Sequence, residues 1–258
     1  MNALIDYTLH LADNTLILGH RNSEWTGHGP ILEQDIAISN IALDLIGQAR
    51  NFYQYAATLI NQSTTQPINT TTEDTLAYLR NTTYFKNCLL VEQTNGDWAK
   101  TILRQFFFSA YQFYLYQHLQ NSKDETLAAI AEKSLKEVTY HLRWSSEWVI
   151  RLGDGTKESN LRIKKAVDDL WMYTDELFEA ASYELSAMCE GIAVDLSLIK
   201  NDWQKKVKEI FEEATLAYPQ EEKHEVAFHG KEGKHSEQLV NILAEMQFLQ
   251  RTYPDSNW

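Results

Sequence analysis

The chain has 258 residues, of which 44% are hydrophobic and 12% aromatic, so it can bury a sizeable core and is not a disordered chain. Its 36 acidic residues outnumber its 23 basic ones, and the net charge of −13 argues against nucleic-acid binding. The apolar runs are far shorter than the roughly 18 residues that a membrane span needs. The two cysteines, Cys88 and Cys189, form no metal-ligand pair, and we expect reduced thiols in a cytoplasmic protein.

Only 10 glycines and 4 prolines interrupt the chain, which favours long helices. Apolar residues recurring at helical spacing predict four long helices. They are expected at about 2–20, 30–60, 98–120 and 122–152. A polar loop at 61–72 and a short helix at 73–80 separate the second from the third, and 81–91 has no assignment.

Capping residues set the expected ends of these helices. Pro30 suits the first position of the second helix, and Asp97 in the turn "TNGD" suits an N-cap of the third. Ser122 and Glu125 have capping-box spacing for the fourth helix. The glycines of "LGDG" suit its C-terminal end.

The last hundred residues predict three more helices, at about 159–180, 198–217 and 236–253. The connections between them cover 186–195 and 218–235, and a connection as long as the second is usually functional, interfacial or solvated. We therefore expect an all-α chain that forms one helical domain over 1–258. Its four-helix bundle would span about 2–152, with additional helices over about 156–253.

Such bundles can hold two irons, using one Glu from each of two helices and a Glu-x-x-His from each of the other two. The fourth helix offers Glu137 and His141, which are four residues apart and share one helix face. The i+3 position that the motif requires holds Tyr140, a poor substitute for histidine. A Glu and a His at this spacing also occur by chance on ordinary helices.

The other helices supply an incomplete set of ligands. Asp44 on the second helix can take a carboxylate position, but the residue three positions on is Gly47, which cannot bind metal. Close helix packing is the favoured alternative explanation for this glycine. Asp13 lies on the first helix beside Asn14, where a polar face or a buried hydrogen-bonded pair is the plain alternative.

The third helix decides the metal question, because residues 98–121 contain no Asp and no Glu. We therefore expect no catalytic, cofactor or metal site in this chain, and treat Asp13, Asp44, Gly47, Glu137 and His141 as remnants of one. A carboxylate buried without a partner costs several kcal/mol. Something must then neutralise Asp44 and Glu137, and we take Arg104 as the candidate replacement charge, with Gln105 and Gln112 as hydrogen-bond donors.

Several segments closely resemble the PaaC family, and together they cover almost the whole chain. They are "YTLHLADNTLILGHRNSEWTGHGPILEQDIAISNIALDLIGQARNF" (7–52), "LLVEQTNGDWAKTILRQFF" (89–107), "KEVTYHLRWSSEWVIRLGDGT" (136–156), "EGIAVD" (190–195) and "HSEQLVNILAEMQFLQRTYP" (235–254). Because the match combines several segments, it is more specific than a single short motif.

The resemblance implies a ferritin-like, non-catalytic structural subunit of the bacterial phenylacetyl-CoA epoxidase, an NADPH-dependent monooxygenase of aerobic phenylacetate catabolism. It implies pairing with a homologous catalytic subunit that holds the di-iron centre and binds the CoA thioester. A reductase with a flavin and an iron–sulfur cluster, and small accessory subunits, complete the complex. We expect a hetero-oligomer in the cytoplasm, with a homodimer as a further option, and neither nucleic acid nor membrane as a partner.

Two alternatives stay open at this point. In one, Asp13, Asp44, Glu137 and His141 bind one or two metals in an unorthodox, carboxylate-bridged oxygenase. In the other, a weaker one, the chain is a free-standing CoA-thioester binding protein.

Overall fold

The structure, a computed structural model, describes residues 2–63, 71–219 and 229–254, and it is all-α within these ranges. The fold is a ferritin-like helical bundle with further helices packed around it, as the sequence predicted. The helices are α1 (Ala3–Ser23), α2 (Leu32–Ser63), α3 (Glu73–Tyr78), α4 (Leu89–Glu92), α5 (Trp98–Leu119), α6 (Glu125–Gly153), α7 (Lys157–Leu170), α8 (Ser182–Cys189), α9 (Leu196–Glu213), α10 (Glu237–Met246) and α11 (Phe248–Thr252).

The bundle consists of two helical hairpins. α1 packs extensively along α2, and α5 packs extensively along α6. Gly19 of α1 faces Leu45 and Ile46 of α2, whereas Asp13 faces Tyr53, so the first pair is antiparallel. α2 and α6 touch far less, and polar side chains join them across the gap.

The flanking helices pack on both hairpins. α7 and α9 pack on α5, and α8 packs on α1. Trp203 of α9 is buried and donates its indole N–H to the carbonyl of Phe107, 2.9 Å away. Because an aromatic side chain of this size buries a large apolar area, such contacts hold α9 firmly against the bundle.

Two expected helix starts needed correction. α6 is capped by Asp124, whose carboxylate accepts the N–H of Leu127 at 2.9 Å, and Ser122 lies in the preceding turn. An aspartate accepts this bond as well as serine does, and its charge suits the helix N-terminus. α2 begins at Leu32, two residues after Pro30. Asp97 does cap α5 by accepting from Lys100.

The C-terminal half is more broken than its periodicity predicted. The expected helix at 159–180 ends at Leu170 and continues as 3₁₀ turns at Trp171–Tyr173 and Asp175–Phe178. The expected connection at 186–195 begins inside α8, which is too short for a clear apolar period. The last expected helix divides into α10 and α11 at Gln247. The side-chain amide of Gln247 donates to the backbone carbonyls of Ala77 and Arg80.

The unassigned segment at 81–91 contains a 3₁₀ turn at Thr82–Tyr84 and the start of α4. Two expected loops fall partly outside the described residues: 64–70 within the loop at 61–72, and 220–228 within the connection at 218–235. In the described part of the second connection, Gly230–Glu232 forms a 3₁₀ turn and Lys231 is buried.

Candidate functional site

The predicted remnants on α2 and α6 lie close together, in two neighbouring hydrogen-bonded pairs that cross the gap between these helices. His141 pairs with Asp44, and Glu137 pairs with Gln48. In the first pair, Nε2 of His141 lies 2.9 Å from Oδ2 of Asp44. The His141 side chain is fully buried, whereas that of Asp44 is 37% exposed. Because the carboxylate can only accept, the imidazole donates its Nε2–H, and Asp44 therefore has a partner that belongs to this chain.

Glu137 forms the second pair, one turn before His141. Its Oε2 accepts from the amide of Gln48 at 2.9 Å. The Gln48 carbonyl in turn faces the amide of Gln112, which also donates to the Tyr116 hydroxyl at 3.1 Å. Three neutral side chains of α2 and α5, those of Gln48, Gln112 and Tyr116, therefore lie in the bundle interior beside Glu137. Burial raises the pKa of Tyr116, and the Glu137 charge adds to this, so the phenol stays protonated.

Gly47 lies on the exposed side of α2, beside these pairs. A Cβ built on it would meet no described atom within 4 Å. The interpretation that this glycine permits close helix packing is therefore wrong within this chain. The close approach occurs at Gly19, where a Cβ would lie 3.0 Å from the Ile46 side chain and 3.4 Å from the Ala42 carbonyl oxygen.

Asp13 does not join the other remnants. It is completely buried and binds Arg80, which also stacks near the Phe85 ring. It accepts a hydrogen bond from the Tyr53 hydroxyl at 2.5 Å and one from the backbone N–H of Lys86 at 2.7 Å. Burial lowers the pKa of Arg80, but the Asp13 carboxylate outweighs this and leaves the guanidinium pKa raised. Asp13 is thus saturated by a cation and by backbone.

Arg104 does not neutralise Asp44 or Glu137. Its side chain is buried and donates to the Gln93 carbonyl and the Asn95 amide oxygen, at the end of the bundle where α5 begins. Burial and the nearby charge of Arg21 lower its pKa to about 9. Arg104 is therefore not the replacement charge that the sequence predicted, and the two remnant carboxylates accept from His141 and Gln48 instead.

This donor set does not fit a di-iron centre. Asp13 is held by Arg80 away from Asp44, and Glu137 and Asp44 each accept from a protein donor. α5 presents neutral Gln105, Ser109 and Gln112 to the interior rather than carboxylates. Two divalent ions need several bridging anionic oxygens, which these residues do not supply.

A second buried polar cluster was missed by the sequence reasoning. Lys231 is 2% exposed and lies 3.1 Å from Oε2 of Glu184 on α8. It also donates to the carbonyls of Leu177 and Glu179. Burial raises the pKa of Glu184, but the charges of Lys231 and His10 outweigh it and leave that pKa lowered. The only sequence signal was the basic stretch "HGKEGKH", which is typical of solvated loops.

His235, the last residue of the stretch "HGKEGKH", also attaches this stretch to the rest of the fold. Its Nδ1 lies 2.9 Å from the Glu92 carboxylate, and its Nε2 lies 2.9 Å from the Phe85 carbonyl. The other Glu92 oxygen accepts from the backbone N–H of Ser236 at 2.8 Å. Burial lowers the pKa of His235, but Glu92 and the Phe85 carbonyl outweigh it and leave the pKa raised.

Comparisons with known proteins agree with the sequence resemblance. The model of the family described as "PaaA_PaaC: Phenylacetic acid catabolic protein" matches residues 1–258. The chain is 46% identical over 258 residues to the C subunit of the 1,2-phenylacetyl-CoA epoxidase of Escherichia coli (strain K12), and the alignment covers 100% of both chains.

Proposed function

Because the chain belongs to the phenylacetic acid catabolic protein family, we propose that it is a non-catalytic, structural subunit of a phenylacetyl-CoA epoxidase. It pairs with a homologous subunit that holds the di-iron centre and performs the chemistry. The reductase component carries the flavin and the iron–sulfur cluster, and small accessory subunits join the assembly in the cytoplasm. In the ranges 2–63, 71–219 and 229–254, no helix is long and apolar enough to cross a membrane.

The observation that carries this proposal is the state of the four acid and histidine remnants. Arg80 binds Asp13, and Gln48 donates to Glu137. His141 donates to Asp44. A metal site would need carboxylate oxygens and an imidazole nitrogen that are free and convergent, whereas here Arg80, Gln48 and the bond between His141 Nε2 and Asp44 engage these groups. These internal hydrogen bonds support a role without metal, in which the long helices of the bundle serve as surface for a partner subunit.

The alternative is a catalytic carboxylate-bridged oxygenase with an unorthodox site. Asp44, Glu137 and His141 support it, because they lie together at one level of the bundle and Asp44 reaches solvent. The two proposals differ in what Glu137→Gln does. Glutamine keeps the shape and still accepts from Gln48, but it removes the anionic oxygen that a metal requires.

The test uses the complex of this chain with its homologous catalytic subunit, supplied with reductase, NADPH and oxygen. We expect wild type and Glu137→Gln to give the same turnover of phenylacetyl-CoA within about twofold, since Glu137 does no chemistry. Omission of this chain should abolish activity or prevent assembly. A drop of about 100-fold or more in Glu137→Gln, with the complex intact, would establish the catalytic alternative.

Iron content gives an independent readout. The isolated chain, loaded with ferrous iron and then desalted, should retain far less than one iron per chain, whereas the loaded complex retains the iron of its catalytic subunit. Stoichiometric iron in the isolated chain that Glu137→Gln removes would contradict the non-catalytic role.

A further inference from the structure

We propose that Asn95 is a latent site of spontaneous deamidation, and that Arg104 and Glu24 protect it from this reaction in the folded chain. Asn95 and Gly96 form the only Asn-Gly pair in the sequence, in the turn before α5. Asparagine is a thermolabile residue, and a following glycine offers the least steric hindrance to attack on its side chain. The pair therefore has the chemistry of a deamidation site.

Deamidation at such a pair needs only water as a co-reactant. The backbone nitrogen of Gly96 forms a bond to Cγ of Asn95 while the bond from Cγ to Nδ2 breaks. The Nδ2 amino group leaves as ammonia with the proton of the Gly96 N–H, and a cyclic succinimide remains. Water then opens this ring at Cγ to give aspartate, or at the backbone carbonyl to give isoaspartate.

The turn requires the glycine that makes Asn95 reactive. Gly96 has a φ of +65°, a left-handed conformation that residues with a Cβ rarely adopt. A Cβ built on it would lie 3.0 Å from Cδ of Lys100. The Gly96 N–H donates no hydrogen bond to any described residue, so no such bond restrains the attacking nitrogen. Protection of the site must therefore come from the side-chain amide of Asn95.

The amide of Asn95 is buried and hydrogen-bonded through both of its polar atoms. Asn95 is 8% exposed, and Arg104 donates to its Oδ1. Its Nδ2 donates to the Arg21 carbonyl at 2.8 Å and to Oε2 of Glu24 at 3.0 Å. Ring closure must break these bonds, because Nδ2 leaves and Cγ bonds to the Gly96 nitrogen. The folded chain therefore raises the barrier to deamidation.

This protection gives the buried Arg104 a function in the turn. The guanidinium is fully buried, forms no ion pair with a described carboxylate, and donates to the Gln93 carbonyl as well as to Asn95. A buried cation without a carboxylate partner costs stability. Its position is explained if it fixes the Gln93 backbone and the Asn95 amide rather than balancing a charge.

The products of deamidation would disturb this end of the bundle. An aspartate at position 95 would lose the N–H donors and would bring a second carboxylate to the 3.0 Å contact with Glu24, where like charges repel. Isoaspartate would add a carbon to the backbone just before Asp97, the residue that caps α5. Protection of Asn95 therefore preserves the contact between the end of α1 and the start of α5.

The experiment incubates the folded, isolated chain at mildly alkaline pH and follows conversion of Asn95 by mass spectrometry of its proteolytic peptide. We expect the folded wild type to react at least about 30-fold more slowly than a synthetic peptide of residues 91–100. Arg104→Met should speed the reaction at least about tenfold, since it removes the charged donor to Oδ1. Glu24→Ala removes one acceptor of Nδ2 and should speed it at least about threefold.

Two controls separate this effect from a general loss of stability, at a temperature where circular dichroism shows each protein folded. Asn121 is exposed and is followed by Ser122, and its reaction in the same samples should have one rate in every variant. Lys231→Met removes a buried cation elsewhere in the fold and should leave the rate at Asn95 as in wild type.

A folded wild type that reacts as fast as the peptide would show that Asn95 is not protected. A rate in Arg104→Met at or below that of wild type would show that the guanidinium does not protect the amide, or that it polarises Cγ for attack, and either result overturns the inference. Equal acceleration by Lys231→Met would also overturn it. If Arg104→Met does not fold, Glu24→Ala decides, and a wild-type rate there is the contrary result. The test needs only the isolated chain, so its outcome does not depend on the proposed subunit role.

Discussion

At the scale of single residues, His235 shows how hydrogen-bond geometry fixes a charge. Both of its ring nitrogens face acceptors, the Glu92 carboxylate and the Phe85 carbonyl, each at 2.9 Å. Neither acceptor can donate, so both nitrogens carry protons and the ring is an imidazolium ion. Glu92 is completely buried and also accepts from Asn87 and from the Ser236 backbone N–H.

The raised pKa of His235 predicts a specific dependence of stability on pH. Since the folded-state pKa lies above the ordinary value of 6.5, the stabilisation is fully present below pH 6.5 and is lost as pH rises through the folded pKa. We expect His235→Gln to lower the free energy of unfolding by roughly 2–3 kcal/mol at pH 6 and by less at pH 9. Chemical denaturation of both proteins at each pH measures this difference.

The control for this prediction is His118→Gln, since His118 is exposed at the end of α5. Its stability should follow that of wild type at both pH values. A His235→Gln deficit that is equal at pH 6 and pH 9 would mean that the ring is not protonated.

At the scale of elements, two glycines placed on long helices have opposite structural roles. Gly153 ends α6 against the chain that follows α9, and a Cβ built there would lie 2.1 Å from the Ala214 carbonyl oxygen. Gly47 lies inside α2, and its added Cβ meets no described atom within 4 Å. The same substitution should therefore act in opposite directions at the two positions.

We expect Gly153→Ala to lower the free energy of unfolding by about 1–3 kcal/mol, because the methyl group must displace backbone between α6 and α9. Gly47→Ala should raise it by about 0.5–1 kcal/mol, the ordinary gain of alanine over glycine inside a helix. Denaturant titration of the isolated chain measures both changes. Stabilisation by Gly153→Ala would show that the contact between α6 and the chain after α9 has room for a methyl group.

At the scale of the whole molecule, the buried polar clusters connect segments that are distant in sequence. Lys231 lies in the described part of the connection at 218–235. It binds Glu184 of α8 and donates to the carbonyls of Leu177 and Glu179, in and just after the 3₁₀ turn at Asp175–Phe178. Glu184 also lies 3.7 Å from His10 of α1. Through Glu184, Lys231 thus connects the 3₁₀ turn at Gly230–Glu232 to α1.

Removing the Lys231 charge should be costly for the whole fold. Lys231→Met keeps the length of the side chain but leaves Glu184 buried without its main cation, which typically costs about 3–5 kcal/mol. Lys234→Met is the matched control, since Lys234 is 63% exposed and forms a surface ion pair with Glu232. We expect a large drop in unfolding temperature for the first variant and little change for the second.

Several features of the fold and site were predictable because they depend on local sequence. The apolar period located the long helices, and Asp97 marked the start of α5, since capping involves neighbouring backbone. Because residues 98–121 contain no Asp or Glu, the sequence alone predicted that ligands needed by a di-iron site are missing. Ser122 was the wrong cap because Asp124 is an equally good one two residues away, and local signals alone do not rank the two.

The sequence by itself therefore determined the all-α class, the family, and the loss of the histidine position at Gly47 and of the acids on α5. Only the tertiary structure decided which group satisfies each remaining charge. In the structure, Gln48 donates to Glu137, His141 donates to Asp44, and Arg80 binds Asp13. Arg104 instead donates to the backbone carbonyl of Gln93 at the end of the bundle. The physical reason is that a helix period fixes which side a residue faces, whereas a buried charge takes its partner from whichever helix or loop packing brings within roughly 3 Å.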